Sequence, residues 1–493
     1  MKKYIFTAAL ALSVLTGCKD FLTEEPVLSQ SDVLTLSTYE GLDKVTAGAY
    51  APLASTAWYG GDFIIINEMK TGNGKKYIGS DFDTGRCTDW YNINYTPDNT
   101  SSLWGYGYYV ITAANNVILN LEGKSDNQQD LNNLKAECLF LRALSHFDLV
   151  RTYAQPYNYT EDASHLGVPV ITSVQAATDM PARETVAKVY GQIEADLLEA
   201  EKIIDPSYVR AGVKDTRSVV SLEAIQALLS RVYLYMGNWQ GCADYATKVI
   251  NSKKFSMWTA DDLSFVNSEN AAERATNYEN FVYSFDSHSD GEVIFEVYGA
   301  SGQSYGGGNE AICSLTSENQ YGDAGACADL MGLYAEGDVR GTMFQSKLSE
   351  KDSRTVYWTA KYFGKGLTTP DYTNTIVLRL SEMYLNRAEA IYNGASISGA
   401  STSSDIRTIT SNRGAADIPN PSISDIYGER RKELAWEGHE WFDLARTGRT
   451  MTRTDSDANA AANEVRPGDT RWAMPIPRRE TTVNDNLEQN PGY

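Results

Sequence analysis

The stretch Ile225-Gln226-Ala227-Leu228-Leu229-Ser230-Arg231-Val232-Tyr233-Leu234-Tyr235-Met236-Gly237-Asn238-Trp239-Gln240-Gly241-Cys242-Ala243-Asp244-Tyr245-Ala246-Thr247-Lys248-Val249-Ile250 decides the fold. Ile225, Leu228, Val232 and Tyr235 recur at helical spacing, and so do Trp239, Cys242, Ala246 and Val249. Spacings of three and four residues put each set on one helix face. Between the two sets stands Met236-Gly237-Asn238, with glycine where a helix must end and turn. Small residues at four-residue spacing in the second half let the two helices approach closely. The stretch is therefore a helix hairpin.

Working outward, the same periodicity marks Phe140, Leu144, Phe147 and Val150, and then Val186, Tyr190, Ile193, Leu197 and Ala200. The region from about 32 to 250 reads as mostly helical. An aromatic residue followed by small ones after a glycine turn is similar to a tetratricopeptide repeat. Residues 252 to 375 break the pattern with frequent Gly, Ser, Asn and Asp, and only residues 292–298 alternate as a strand does. Helix is expected again from Val377 through Leu380, Tyr384, Ala388 and Ile391, and as one continuous helix from about Ile426 to Ala445. The tail from Arg471 reads as Pro-rich and extended. The fold class is mainly α: a tetratricopeptide-like scaffold of helix pairs carrying loop-rich insertions, where binding residues usually sit.

The N-terminus begins with Lys2 and Lys3, continues as the apolar run Tyr4 to Leu15, and closes on Leu15-Thr16-Gly17-Cys18. That order is a secretory signal peptide, residues 1–17, ending in a lipobox with Cys18 as the site of lipid attachment. The run is shorter than the ~20 apolar residues of a spanning helix. The mature chain is expected outside the cytoplasm, held to a membrane by acyl chains. The length of 493 residues allows about three domains or one large unit. A net charge of −21 repels phosphate backbones, which disfavours nucleic acid as a partner. Five cysteines remain after Cys18, an odd number, so at least one is a free thiol. Cys138 and Cys242 sit on apolar helix faces and read as buried thiols, whereas Cys313 and Cys327 share a Gly-rich stretch in which they could pair. No CxxC pair is present, which leaves a structural zinc site without support; no metal-ligating residue and no cofactor are assigned.

Of the constellations that could carry chemistry, the loop Trp90-Tyr91-Asn92-Ile93-Asn94-Tyr95, preceded by Asp81 and Arg86, is the most informative. Aromatic faces stack on the apolar faces of sugar rings, and Asn, Asp and Arg side chains hydrogen-bond the hydroxyls. Exposed on a loop, Asp81, Arg86, Trp90, Tyr91 and Asn94 would form a glycan platform, with Tyr305 and Tyr321 of the Gly-rich loops as a second wall. Trp104, four residues before Tyr108, reads as a packing residue instead. Gly302-Gln303-Ser304-Tyr305-Gly306 matches G-x-S-x-G, but Gly307-Gly308-Asn309 breaks the helix that a nucleophile elbow requires. In His439-Glu440-Trp441-Phe442-Asp443, aspartate replaces the second histidine of H-E-x-x-H. That segment reads as a charged helix face tied by ion pairs among Arg430, Arg431, Glu433 and Glu437. No catalytic residue is assigned, and the chain is read as a binding protein rather than an enzyme.

Several blocks together are similar to the SusD/RagB family of outer-membrane lipoproteins. They are Phe140-Leu141-Arg142-Ala143-Leu144 with Phe147-Asp148-Leu149-Val150-Arg151, Gly167-Val168-Pro169, Arg183-Glu184-Thr185-Val186, and the hairpin from Ala227 to Ile250. Leu378 to Ala390, Glu429-Arg430-Arg431-Lys432-Glu433-Leu434 with Glu437-Gly438-His439-Glu440, Pro475-Ile476-Pro477 and Gln489-Asn490-Pro491-Gly492-Tyr493 complete the set. The resemblance implies an N-terminal SusD-like region over 18–215 that holds the ligand loop, and a C-terminal RagB/SusD region over 216–493, the two forming one compact unit. It implies an outward-facing, lipid-anchored position on the outer membrane. It also implies capture of an extracellular glycan, and partnership with a SusC-like TonB-dependent transporter. Two departures stand out: Asn67 to Lys76 replaces the Asp-rich segment of many members, and Ser145-His146 stands where Ala-Tyr is common. The ligand is therefore read only as a neutral oligosaccharide or polysaccharide. An oligopeptide receptor of the same family, a glycoside hydrolase and a bare tetratricopeptide adaptor are the alternatives.

Overall fold

The computed structural model describes residues 32–213, 215–268, 270–279, 281–283, 291–299, 309–363 and 372–493. Cys18, Tyr305 and the G-x-S-x-G segment lie outside these residues. The principal helices are α1 (Tyr39–Tyr50), α2 (Asp62–Met69), α3 (Thr88–Tyr91), α4 (Leu103–Leu121), α5 (Gln128–Tyr153), α6 (Val186–Ile203), α7 (Leu222–Met236) and α8 (Trp239–Asn251). They continue with α9 (Leu380–Tyr392), α10 (Thr402–Asn412), α11 (Ile423–Leu434), α12 (Glu440–Arg446) and α13 (Arg478–Val483). From α4 to α10 each of these helices packs on the next, and α11 also packs on α9.

The hairpin from 225 to 250 is formed as its sequence dictates. Ser221 caps α7 by accepting from the Ala224 N–H, and Gly237 ends it at φ 69°, a left-handed conformation that glycine takes without a Cβ penalty. Asn238 then caps α8 through the Gly241 N–H. Cys242 and Ala246 are fully buried, and the Ser230 hydroxyl donates to the Cys242 carbonyl across the pair at 3.1 Å.

α5 is buried around its whole circumference over its second half. A helix in that position must satisfy its polar groups internally. Arg142 forms a two-pronged pair with Asp196 on α6 (2.6 and 2.8 Å), and Glu137 accepts from Arg210 and Tyr208 at 2.7 Å each. Asp148 accepts from the Trp58 indole and the Tyr59 hydroxyl at 2.7 Å each and pairs with Arg151. Burial pushes the His146 imidazole down to about 3, so it is neutral in the folded state.

Among the described residues there are three small antiparallel sheets. The largest has the order β1 (Gly74–Lys75), β3 (Gly325–Ala326), β5 (Thr355–Thr359), β4 (Phe344–Leu348). β2 (Val293–Val297) pairs with β6 (Thr375–Arg379), and β7 (Met451–Thr452) with β8 (Glu464–Val465). One core cluster includes residues from Ala49 to Leu487.

Four expectations need correction. Val377 lies on β6 and helix begins only at Leu380, because the run 375–379 is buried on both faces and pairs with β2. The stretch from Ile426 to Ala445 is not one helix. Trp436 (φ 66°) and Gly438 (φ 77°) turn the chain between α11 and α12. The tail contains a short helix, α13. Cys313 and Cys327 are both buried thiols, with no disulfide between them.

The arginines and glutamates around α11 form an internal network instead of a charged outer face. Glu433 accepts from Arg379 and Arg413 at 2.7 Å and from Arg340 at 3.0 Å. Glu292 meets Arg413 at 2.6 Å, and Glu437 meets Arg379 at 2.8 Å. Burial raises the Glu433 carboxyl, but Arg413, Arg379 and Arg340 overcome that and hold it well below the usual carboxylate range.

Candidate ligand-binding surface

The scaffold reaches the site through α5. Asp148 fixes Trp58 and Tyr59, and the next two residues are Gly60 and Gly61. The Gly60 carbonyl accepts the Ile312 N–H at 2.8 Å, so the chain at 310–312 is laid against the start of α2. A Cβ on Gly61 would come within 2.8 Å of the Glu310 carbonyl, so this approach requires glycine.

A second set of contacts fixes the loop from 76 to 86. Buried Lys76 pairs with Asp83 and Asp323 at 2.7 Å each. Asp323 also accepts from the Thr84 N–H (3.0 Å) and the Thr84 hydroxyl (2.6 Å). Two residues before Asp323 stands Tyr321. This staple sets the Arg86 guanidinium 3.6 Å above the Tyr321 ring centre. Arg86 Nε donates to Glu310 Oε1 at 2.8 Å, and a terminal N–H donates to the Thr84 hydroxyl at 2.9 Å. Phe82 packs edge-on to Trp358, and Gly322, at φ 64°, offers its carbonyl to the Trp358 indole at 2.8 Å. Half-buried Asp62, in the first turn of α2, is raised to about 8 by burial, with the Glu310 charge adding to it.

The residues singled out from the sequence separate into groups. Arg86 and Tyr321 come together as a stacked pair. Trp90, on α3, is half-buried, and Asn94 is exposed. Trp90 and Tyr321 both pack their inner sides against the main core. Tyr91 does not belong to the surface: it is fully buried in the main core. Its hydroxyl lies 3.0 Å from Ser456 Oγ and accepts the Asp457 N–H at 2.9 Å, and Arg453 covers its ring at 4.7 Å. Asp81 is exposed, but its carboxylate caps the turn between β4 and β5, accepting from the Glu350 N–H at 2.6 Å and from the Ser349 hydroxyl at 3.3 Å. Thr84, Asp323, Glu310 and Asp62 are the site residues that sequence spacing does not single out. Trp104 packs in the core, against Tyr108 and Tyr153, as its spacing suggests.

The helical scaffold thus presents a loop surface of polar and aromatic residues. Residues 20–234 match a family model described as starch-binding associating with the outer membrane, and residues 340–493 match the SusD family model. The chain belongs to the SusD/RagB family, a family of carbohydrate-binding, outer-membrane-associated proteins. It is 25% identical to SusD-like protein P2 of Formosa agariphila, with both chains covered in full. A solved SusD superfamily protein from Bacteroides thetaiotaomicron is 27% identical and superposes with a TM-score of 0.78, covering 92% of this chain and all of that one. The surface glycan-binding protein A of Bacteroides fluxus shares the fold (TM-score 0.74, 20% identity, 93% of this chain and 100% of that one). These neighbours carry the tetratricopeptide-like helical fold expected from the sequence. No helix of the described residues is long and apolar enough to cross a membrane.

Proposed function

We propose that this protein is a lipid-anchored receptor on the outer membrane, facing the exterior, that captures a neutral oligosaccharide or polysaccharide. It then passes this glycan to a SusC-like TonB-dependent transporter. The observation that carries the reading is the Arg86–Tyr321 stack, followed along the same loop by the half-buried Trp90 and the exposed Asn94. The aromatic faces suit the apolar side of a sugar ring, and the indole N–H, amide and hydroxyl suit its hydroxyls. Arg86 is already neutralised by Glu310, which favours an uncharged ligand. Attachment through Cys18 requires the lipobox alone, so Cys18→Ala is expected to release the protein from membranes.

The direct test is an array of neutral oligosaccharides and oligopeptides against the soluble protein starting at residue 19. Binding of an oligosaccharide that Arg86→Ala and Trp90→Ala both weaken supports the reading. Binding of peptides alone establishes the oligopeptide receptor instead. One observation favours a second reading, a glycoside hydrolase: Asp62, raised to about 8, stands near Glu310, and glycoside hydrolysis uses one protonated and one ionised carboxyl. Release of reducing sugar by the wild type, lost in Asp62→Asn, would replace capture with cleavage.

A further inference from the structure

A second surface stands out on α4. Leu103–Leu121 runs for 19 residues without one charged side chain, in a chain of net charge −21. Its solvent-facing stripe is nevertheless open: Tyr109 is 61% exposed, and Thr112 and Leu119 are exposed with it. Two clefts meet at Tyr109 and Gly105. The smaller, about 360 Å³, is lined by Pro52, Ser102, Tyr106 and Arg479. The larger, about 540 Å³, runs from Tyr108 and Thr112 to Gln175, Asp179 and Glu480.

Gly105 lies on the floor of both clefts. Glycine inside a helix costs about 1 kcal/mol relative to alanine. At Gly107 packing explains it, because a Cβ there would lie 3.0 Å from the Leu149 side chain. At Gly105 a Cβ would meet only the tip of Arg479, at 2.8 Å, the far end of a flexible and exposed side chain. Core packing does not require glycine there; its missing Cβ lets the Arg479 guanidinium lie against the helix at the floor of the cleft. Exposed Tyr109 and half-buried Tyr106 supply ring faces. Ser102, Thr112, Gln175 and Asp179 supply donors and acceptors around them, and Arg479 is balanced by Glu480 at 3.0 Å. Apolar ring faces with a hydrogen-bonding rim whose one unpaired charge is the Asp179 carboxylate match a polyhydroxylated chain without negative charge better than an anion.

We propose that this cleft is a second oligosaccharide-binding site, distinct from the surface at Trp90 and Tyr321. The loop from Asn94 to Ser102 joins the two, and Arg478 ties it down by donating to the Pro97 carbonyl (2.8 Å) and pairing with Asp98 (2.6 Å). The proposal rests on the glycan reading above, and the experiment separates the two. Maltoheptaose, xylohexaose and mannohexaose are titrated calorimetrically into the soluble wild type and into Trp90→Ala, Tyr109→Ala and Gly105→Ala. The expected result is two sites for at least one probe, one lost in Trp90→Ala and the other in Tyr109→Ala. Gly105→Ala should weaken the second site at least tenfold while its melting temperature holds or rises, because alanine favours the helix. A single site lost in Trp90→Ala and untouched in the other two variants overturns the second site and leaves the glycan reading standing. Weaker binding in Gly105→Ala together with a lower melting temperature also overturns it, since that marks a structural glycine. If none of the three sugars binds the wild type, both readings fall.

Discussion

Glu433 and Glu310 both face arginine, and the contrast between them separates scaffold from surface. Glu433 is buried and accepts from three guanidinium groups: Arg379 of β6, Arg413 at the end of α10, and Arg340 from a short helical turn at 339–342. Glu310 meets a single arginine, with half of its own side chain in water. The buried network joins segments that also pack through apolar residues such as Ile409 and Leu434, and its charges are enclosed with that core. The pair at the surface instead fixes the direction of one guanidinium over one ring. In this chain ionic chemistry builds the interior around α11, and the polar loops near Trp90 keep their hydrogen-bonding capacity for something outside.

The largest expected effect comes from breaking the interior. Glu433→Gln leaves buried arginines without their carboxylate and should cost about 3–5 kcal/mol in chemical denaturation. A loss below about 1 kcal/mol would mean that the network is no more structural than a surface pair. On the surface side, Trp90→Ala should cost about 2 kcal/mol of glycan binding, roughly thirtyfold, with little change in melting temperature. Unchanged binding with a lowered melting temperature would move Trp90 to the same class as Tyr91.

A smaller effect is set by pH. The unfolded chain takes up a proton at the His146 position near 6.5, whereas the folded chain does so only near 3. The contribution of burying the neutral ring is therefore complete above 6.5 and is lost as pH falls through that window, by at most about 1.4 kcal/mol per pH unit. Glu433, held low, adds a loss of the same sign below its unfolded value of 4.5. Asp62 and Glu440, raised to about 8 and about 7, contribute the opposite slope, so the His146 contribution is read as the difference between the wild type and His146→Gln in urea unfolding between pH 6.5 and 4.5, which should shrink as pH falls. Smallest of all, Glu310→Gln should change stability by no more than about 1 kcal/mol, as expected for a half-exposed pair. A larger drop in its melting curve would place Glu310 with Glu433 and erase the contrast.

The same contrast explains what the sequence made legible. Faces such as Phe140–Val150 and Ile225–Val249 were readable because apolar residues repeat at helical spacing. Thr375–Arg379 was not, since a short apolar run fits a strand and a buried helix equally well. The break between α11 and α12 was hidden because this part of the core is built from paired charges, which leave no apolar rhythm. At the surface, Arg86 and Tyr321 could be chosen by residue type, but their stacking depends on Asp323 stapling two distant loops. Trp90 and Tyr91 are neighbours, and a single turn of α3 sends one to the half-open side and the other into the core. No spacing rule distinguishes them.

Cys87, Cys138, Cys242, Cys313 and Cys327 are all buried thiols outside any disulfide. Burial also pushes the thiols of Cys138, Cys242 and Cys327 up to about 12, so at neutral pH they are both enclosed and protonated. Thiol chemistry needs an accessible thiolate. The soluble protein therefore carries an internal clock: a maleimide dye can react at these five positions only as fast as the chain opens. The order in which the five are labelled would rank, without any mutation, which parts of the molecule open first.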